Sequence, residues 1–134
     1  MALIEINKEN FDTTVSSGIV LLDWWAAWCG PCRAFAPVFE GAAAKHGDIA
    51  FGKIDTDAQP ELSRGFGIRS IPTLMAFRDG ILVFEQAGAL PAALLEDLIG
   101  KVRALDMDDV RKQVAAAAAA ESQGGGAEGE GEGA

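Results

Sequence analysis

Two cysteines separated by two residues, Cys29 and Cys32, are the only thiols in this chain of 134 residues. Thiol–disulfide exchange needs a thiolate, an open path to it, and a second thiol that resolves the mixed disulfide. The local sequence supplies all three. The apolar run Ile19–Trp25 reads as a strand, a short turn follows, and a helix opens at the cysteines. Cys29 then sits at a helix N-terminus, where unpaired backbone N–H groups and the helix dipole favour negative charge. Cys32 lies one helical turn later, so the two sulfurs can meet. Pro31 removes a backbone N–H that the first turn does not use, and it stiffens that turn. The competing readings are an inert pair or half of a zinc site. A structural zinc site takes four ligands, and the chain has two cysteines and one histidine, His46, at the far end of the same helix. Spacing and ligand count favour redox chemistry.

The elements that must position this pair follow from pattern. Leu3–Ile6 alternates weakly as a first strand. Asn7 is placed to cap a short helix that runs towards Ser17 and stops at Gly18. Ile19–Trp25 is nearly continuous in apolar residues, as in a strand covered on both faces. The helix from Cys29 reaches His46-Gly47 and contains Pro37, which is expected to kink it. Ile49–Ile54 is the next strand, Pro60–Arg64 a short helix, and Thr73–Phe77 another strand. Asp79-Gly80 is a hairpin turn signal, and Ile81–Glu85 returns as the partner strand. Pro91 opens a last helix, with Leu94, Leu95, Leu98 and Val102 assigned to one face. This order predicts an α/β fold: a central mixed five-stranded sheet with helices on both faces.

The character changes after Leu105, so the chain divides into a domain over 1–105 and a tail over 106–134. Asp108 and Asp109 are placed to begin a short helix carrying Ala115–Ala120, since alanine is the best helix former. From Ser122 the chain is rich in Gly, Glu and Ala and is expected to be unordered and solvated. The net charge is −9. The segment through Leu105 holds 9 basic and 13 acidic residues, and the remainder 2 and 7, so more than half of the excess is in the tail. A nucleic-acid surface needs clustered Lys and Arg, and none is present. No stretch is long and apolar enough for a membrane span, and Met1–Asn10 has no secretory-signal pattern. A reducing, cytoplasmic setting and a monomer are therefore expected.

Several further residues have two readings. Asp23, inside the apolar strand, should be costly to bury and have a raised pKa; alternatively it turns to solvent or satisfies the local backbone. Lys53 is a snorkelling strand lysine or the partner of an acid. Pro72 is a strand-start proline or a cis one. Trp28, taken alone, is core. His46 reads as a helix-terminal residue favoured by the dipole.

Asp23-Trp24-Trp25-Ala26-Ala27-Trp28-Cys29-Gly30-Pro31-Cys32 resembles the active-site segment of the thioredoxin family. Ser70-Ile71-Pro72-Thr73-Leu74 resembles the family's cis-proline loop, and Phe77-Arg78-Asp79-Gly80 with Ala87-Gly88-Ala89-Leu90 its closing hairpin and glycine loop. The match spans Leu3 to Val102; the tail lies outside it. The resemblance implies the thioredoxin fold and a protein disulfide reductase in which Cys29 is the nucleophile and Cys32 the resolving thiol. It implies that Asp23 relays a proton to or from the buried sulfur, that Lys53 approaches this acid, and that Pro72 is cis. Trp28, Gly30, Pro31, Ile71, Pro72 and Gly88 would form the substrate groove. The implied partners are disulfide-containing proteins and an NADPH-dependent thioredoxin reductase, with no bound cofactor or metal. Two alternatives stay open: an oxidase or isomerase on the same fold, against which Gly30-Pro31 speaks, and a binding or chaperone module in which the sulfurs are incidental.

Overall fold

The computed structural model describes residues 3–133, with side chains through Ser122. The chain divides into two compact units, Met1–Arg103 and Ala104–Ala134.

In the first unit the strands are β1 (Ile4–Glu5), β2 (Ile19–Trp25), β3 (Ala50–Asp55), β4 (Thr73–Arg78) and β5 (Ile81–Ala87). They form one sheet in the order β1-β3-β2-β4-β5. β1, β3 and β2 are mutually parallel, β4 is antiparallel to β2, and β5 is antiparallel to β4. The helices are α1 (Phe11–Val15), α2 (Gly30–Lys45), α3 (Pro60–Gly65) and α4 (Ala92–Arg103). This is the mixed five-stranded sheet with helices on both faces that the sequence predicts.

The apolar run of β2 makes it the central strand, and Val20 through Trp24 are all buried. Alternation then divides the sheet's side chains between two layers. Val20, Leu22 and Trp24 join Ile54, Met75 and Phe77 under Phe11, Val15 and Phe66 of the α1 and α3 side. Leu21 and Asp23 take the opposite face with Phe51, where Phe39 of α2 meets the Phe51 ring edge-on at 5.2 Å. Asp23 is thus directed towards α2, the helix that begins at the cysteines.

Element ends moved by small amounts. Asn7 does cap a first turn: its Oδ1 accepts from the Asn10 N–H at 2.9 Å, and Asn10 Oδ1 accepts from the Asn7 N–H at 2.8 Å. The helix proper starts only at Phe11 and ends at Val15. α2 runs unbroken through Pro37. Asp79 (φ 52°) and Gly80 (φ 84°) both lie in the left-handed region, as a two-residue I′ hairpin requires. On α4 the buried face is Leu95, Leu98, Ile99 and Val102, whereas Leu94 is exposed. Positions i, i+3, i+4 and i+7 from Leu95 make the stripe, and Leu94 falls beside it.

The second unit carries α5 (Met107–Gly133), where a short helix and then an unordered chain were expected. Its start is well made. Asp106 Oδ1 accepts from the N–H groups of Asp108 and Asp109 at 3.1 and 3.2 Å, and acids in the first turn suit the dipole. The helix carries on past Ser122 to Gly133, through a stretch rich in glycine, a poor helix former. The acidic side chains beyond, expected to be solvated, lie outside the described ones.

Gly52 of β3 is needed for close packing. A Cβ there would stand 2.8 Å from Ile6 Cγ1 and 2.9 Å from Leu22 Cδ2, both fully buried. Gly52→Ala is expected to destabilise the domain by about 1–3 kcal/mol through overpacking, read as a lowered urea midpoint. An unchanged midpoint would show that Ile6 can swing aside freely.

Candidate active site

Local sequence builds the site at the C-terminal end of β2. The chain leaves the sheet at Trp25, and Cys29 becomes the N-cap of α2 in an extended conformation (φ −87°, ψ 113°). Pro31 fits the first turn for the reason anticipated: no N–H is needed there. Cys29 and Cys32 are joined by a disulfide, with Cα atoms 5.2 Å apart, inside the range that a disulfide spans without backbone distortion. The Cys29 sulfur takes the role that an Asp or Ser oxygen plays at other helix starts. It accepts the Cys32 backbone N–H at 3.2 Å. An acceptor at this place is stronger when charged, so the geometry favours a Cys29 thiolate once the pair is reduced.

The loop before β4 closes the site from the other side. The Ile71–Pro72 peptide is cis. The Ile71 carbonyl oxygen lies 3.7 Å from Cys29 Sγ, and Ile71 packs with Trp25 on the cluster of Ala26, Cys29 and Cys32. The Pro72 carbonyl accepts from the Gly88 N–H at 2.8 Å, and Gly88 has φ 100°, a conformation that suits glycine. Ile71, which lies against the cysteines, is thus tied through Pro72 to Gly88. Trp28, Gly30 and Pro31 are exposed. Trp28 is 69% exposed, so the core reading of this residue in isolation fails.

Asp23 is completely buried, and neither carboxylate oxygen has a hydrogen-bond partner among the described residues. Its pKa is pushed up to about 6, mainly by desolvation; Lys53 opposes the rise and Glu40 adds to it. Lys53 is Asp23's in-register neighbour on β3. Its Nζ lies 3.9 Å from Asp23 Oδ2 and 5.0 Å from the centre of the Trp25 ring. The solvent-facing and snorkelling readings of these two residues give way to a buried acid with one cationic neighbour.

The thioredoxin family model matches residues 2–101. A Streptomyces coelicolor protein named "Putative thioredoxin 2" is 59% identical over 113 residues, covering 84% of each chain. A Bacillus subtilis thioredoxin is 39% identical over 102 residues, covering 75% of this chain and 98% of its own. A Staphylococcus saprophyticus thioredoxin is 40% identical with the same coverage. This chain belongs to the thioredoxin family. With Cys29 and Cys32 at disulfide distance, it is a protein disulfide reductase working by thiol–disulfide exchange. Members act on disulfide-containing substrates, and the resemblance read from the sequence is correct in family, fold and activity.

Some site features of this thioredoxin-family chain were not legible. Asp57 Oδ2 accepts from the Trp28 indole N–H at 3.0 Å, and Thr56 donates to the Trp25 carbonyl through both its N–H and its hydroxyl. The loop after β3 thus fastens the loop after β2. The only sequence signal was position: Asp57 follows a strand that pairs with β2. His46, at the end of α2, also has distant partners. Arg103 donates to its Nδ1 at 3.0 Å, and its Nε2 meets Glu96 Oε1 at 2.7 Å. A guanidinium can only donate, so Nδ1 accepts and Nε2 carries the proton. Arg103 also grips Asp48 through two hydrogen bonds of 2.7 and 3.0 Å, which holds the Asp48 pKa down at about 2. This cluster belongs to the far end of α2 from the cysteines. Among the described residues no three His, Cys, Asp or Glu are grouped as metal ligands, and no helix is long and apolar enough to cross a membrane.

Proposed function

We propose that the reductive cycle runs as follows. The Cys29 thiolate, capping α2, attacks one sulfur of a substrate disulfide; a Cys29–substrate bond forms and one substrate thiolate leaves. Cys32 then gives its proton to the Asp23 carboxylate, and the new thiolate attacks the Cys29 sulfur. The Cys29–Cys32 disulfide forms, the second substrate thiolate leaves, and both substrate thiolates take up protons. Two electrons have passed to the substrate. An NADPH-dependent thioredoxin reductase returns them, and the chain needs no cofactor or metal of its own. Trp28, Gly30, Pro31, Ile71, Pro72 and Gly88 hold an extended substrate segment, and Lys53 steadies the charge on Asp23. The setting is the cytoplasm, and the working form is a monomer.

The observation that carries this reading is the Cys32 N–H directed at the Cys29 sulfur at 3.2 Å, supported by a buried acid without a hydrogen-bond partner, Asp23, on the sheet face that α2 covers. A general base works best with a pKa near the working pH, and Asp23 at about 6 meets that condition. The test is the rate at which a preformed mixed disulfide on Cys29 resolves, measured from pH 5 to 9. Asp23→Asn is expected to slow resolution by about 10²-fold near neutrality. An unchanged rate across pH would remove Asp23 from the mechanism.

The reducing direction has its own check. Thioredoxins as a class have reduction potentials of about −270 mV, and a strongly oxidising relative about −120 mV. Equilibration of the Cys29–Cys32 pair with a dithiothreitol buffer is expected to place it at the reducing end. Asp57→Ala is expected to release the Trp28 indole and raise KM for a protein substrate about fivefold, the worth of one hydrogen bond of about 1 kcal/mol, with kcat held. A fall in kcat at constant KM would instead tie Asp57 to the chemistry.

A further inference from the structure

We propose that Glu5 is a positioning residue for the proton relay, offering Lys53 a second carboxylate across a small cavity and so setting how firmly Lys53 holds to Asp23. The inference rests on the relay role proposed above for Asp23.

Strand register supplies the first observation. β1 pairs with β3 so that Glu5 is opposite Lys53, and β3 pairs with β2 so that Lys53 is opposite Asp23. In-register neighbours share a face of the sheet and stand about 4.8 Å apart strand to strand. Glu5, Lys53 and Asp23 therefore form one transverse row: an exposed acid, a half-buried base and a buried acid.

The second observation is the space beside that row. A cavity of about 200 Å³ is lined by Ile4, Glu5, Trp25, Lys53, Asp55 and Gln59, among others. Lys53 borders it while leaning inward, 3.9 Å from Asp23 and over the Trp25 ring. Three acids surround the lysine: Asp23 from β2, Glu5 from β1 and Asp55 from β3 itself. Asp55 Oδ1 is already occupied by the backbone N–H groups of Asp57 and Ala58 at 2.9 and 3.3 Å. The Glu5 carboxylate has no hydrogen-bond or ion-pair partner among the described residues. Glu5 is thus the acid still free to receive Lys53. The charged groups that act on Asp23 itself are Lys53 from β3 and Glu40 from α2.

The consequence is electrostatic. When Asp23 takes the Cys32 proton it becomes neutral, and Lys53 loses its inner counter-charge. An ammonium left half-buried without an anion is unfavourable. Moving across the cavity to Glu5 restores a partner. Glu5 thereby stabilises the state in which Asp23 is protonated. Without Glu5, Lys53 stays beside Asp23 in both states and makes the acid easier to ionise.

The experiment titrates the Asp23 carboxyl in the full-length reduced protein by ¹³C NMR. Glu5→Gln is expected to lower its midpoint by about half a pH unit, the size of a screened charge at this range, and Glu5→Asp to restore part of the shift. In a Lys53→Met background, which keeps the aliphatic stem, Glu5→Gln is expected to shift the midpoint by less than half as much. No shift in the wild-type background, or equal shifts in both, would overturn the proposal: the first leaves Glu5 uninvolved, the second makes it a distant charge that bypasses Lys53. Either failure leaves the relay itself standing so long as Asp23→Asn still slows mixed-disulfide resolution. Should Asp23→Asn leave resolution unchanged, the relay fails first, whatever Glu5 does to the titration.

Discussion

Replacing Cys32 with serine is expected to turn the protein from a turnover catalyst into a covalent trap. Cys29 keeps its place as the N-cap of α2. In the variant it still has the backbone N–H of residue 32 directed at its sulfur, as that of Cys32 is at 3.2 Å, because the bond is made by the main chain. Attack on a substrate disulfide therefore proceeds. Resolution does not, since the serine hydroxyl cannot displace a sulfur from a disulfide at neutral pH. The lost step is intramolecular, and a tethered, oriented thiol has an effective concentration far above any thiol in solution. Turnover should fall by at least about a thousand-fold, and a substrate adduct should persist on non-reducing gels. Cys29→Ser should lose turnover as fully and give no adduct. If Cys29→Ser also captured substrate through Cys32, the order of attack would be reversed and the cap geometry would not decide which sulfur is the nucleophile.

What the sequence disclosed about this site was what lies close along the chain. The strand Ile19–Trp25, the turn and the helix from Cys29 are contiguous, so pattern and capping rules reach them directly. Asp23 was visible as an anomaly, one acid in an apolar run, but its depth was not. Whether an acid in a strand turns outward depends on which helix covers that face, and α2 covers this one. The cis peptide before Pro72 and the placing of Gly88 beside it came from family resemblance, since no local rule fixes them. The residues that sequence missed come from elsewhere in the chain. Asp57 meets Trp28 across 29 positions, and His46 meets Glu96 and Arg103 across 50 and 57. Glu5 stands opposite Lys53 only because β1 joins β3 in register. Each depends on sheet pairing or helix packing, for which one sequence carries no signal. Leu94 shows the same limit in the core: a leucine at near-helical spacing falls off the buried stripe by one position.

The buried acid should also be visible in the stability of the fold. In the unfolded chain Asp23 titrates near the ordinary aspartate value of 3.8, and in the folded protein near 6. Between these values the folded state holds a proton that the unfolded state has released. Stability must therefore fall as pH rises through this window, and the loss is complete above about pH 6. A difference of about two units corresponds to about 3 kcal/mol, a large share of a small domain's total. Asp23→Asn removes this titration. The amide has its own unmet hydrogen bonds at a site where neither carboxylate oxygen found a partner, so its absolute stability mixes two effects. The pH dependence separates them. Urea unfolding of the oxidised proteins should show the variant gaining about 2.4 kcal/mol on the wild type between pH 4 and pH 8, whatever offset the amide adds at both ends. Parallel stability curves would mean that Asp23 ionises as easily inside the fold as outside it, through solvent reaching the carboxylate or Lys53 closing on it. If the gap opens as expected, the same desolvation that weakens the fold is what sets Asp23 near the pH at which it must accept a proton. The substitution that frees the fold of this pH-dependent loss would then be the one that slows the release of its substrates.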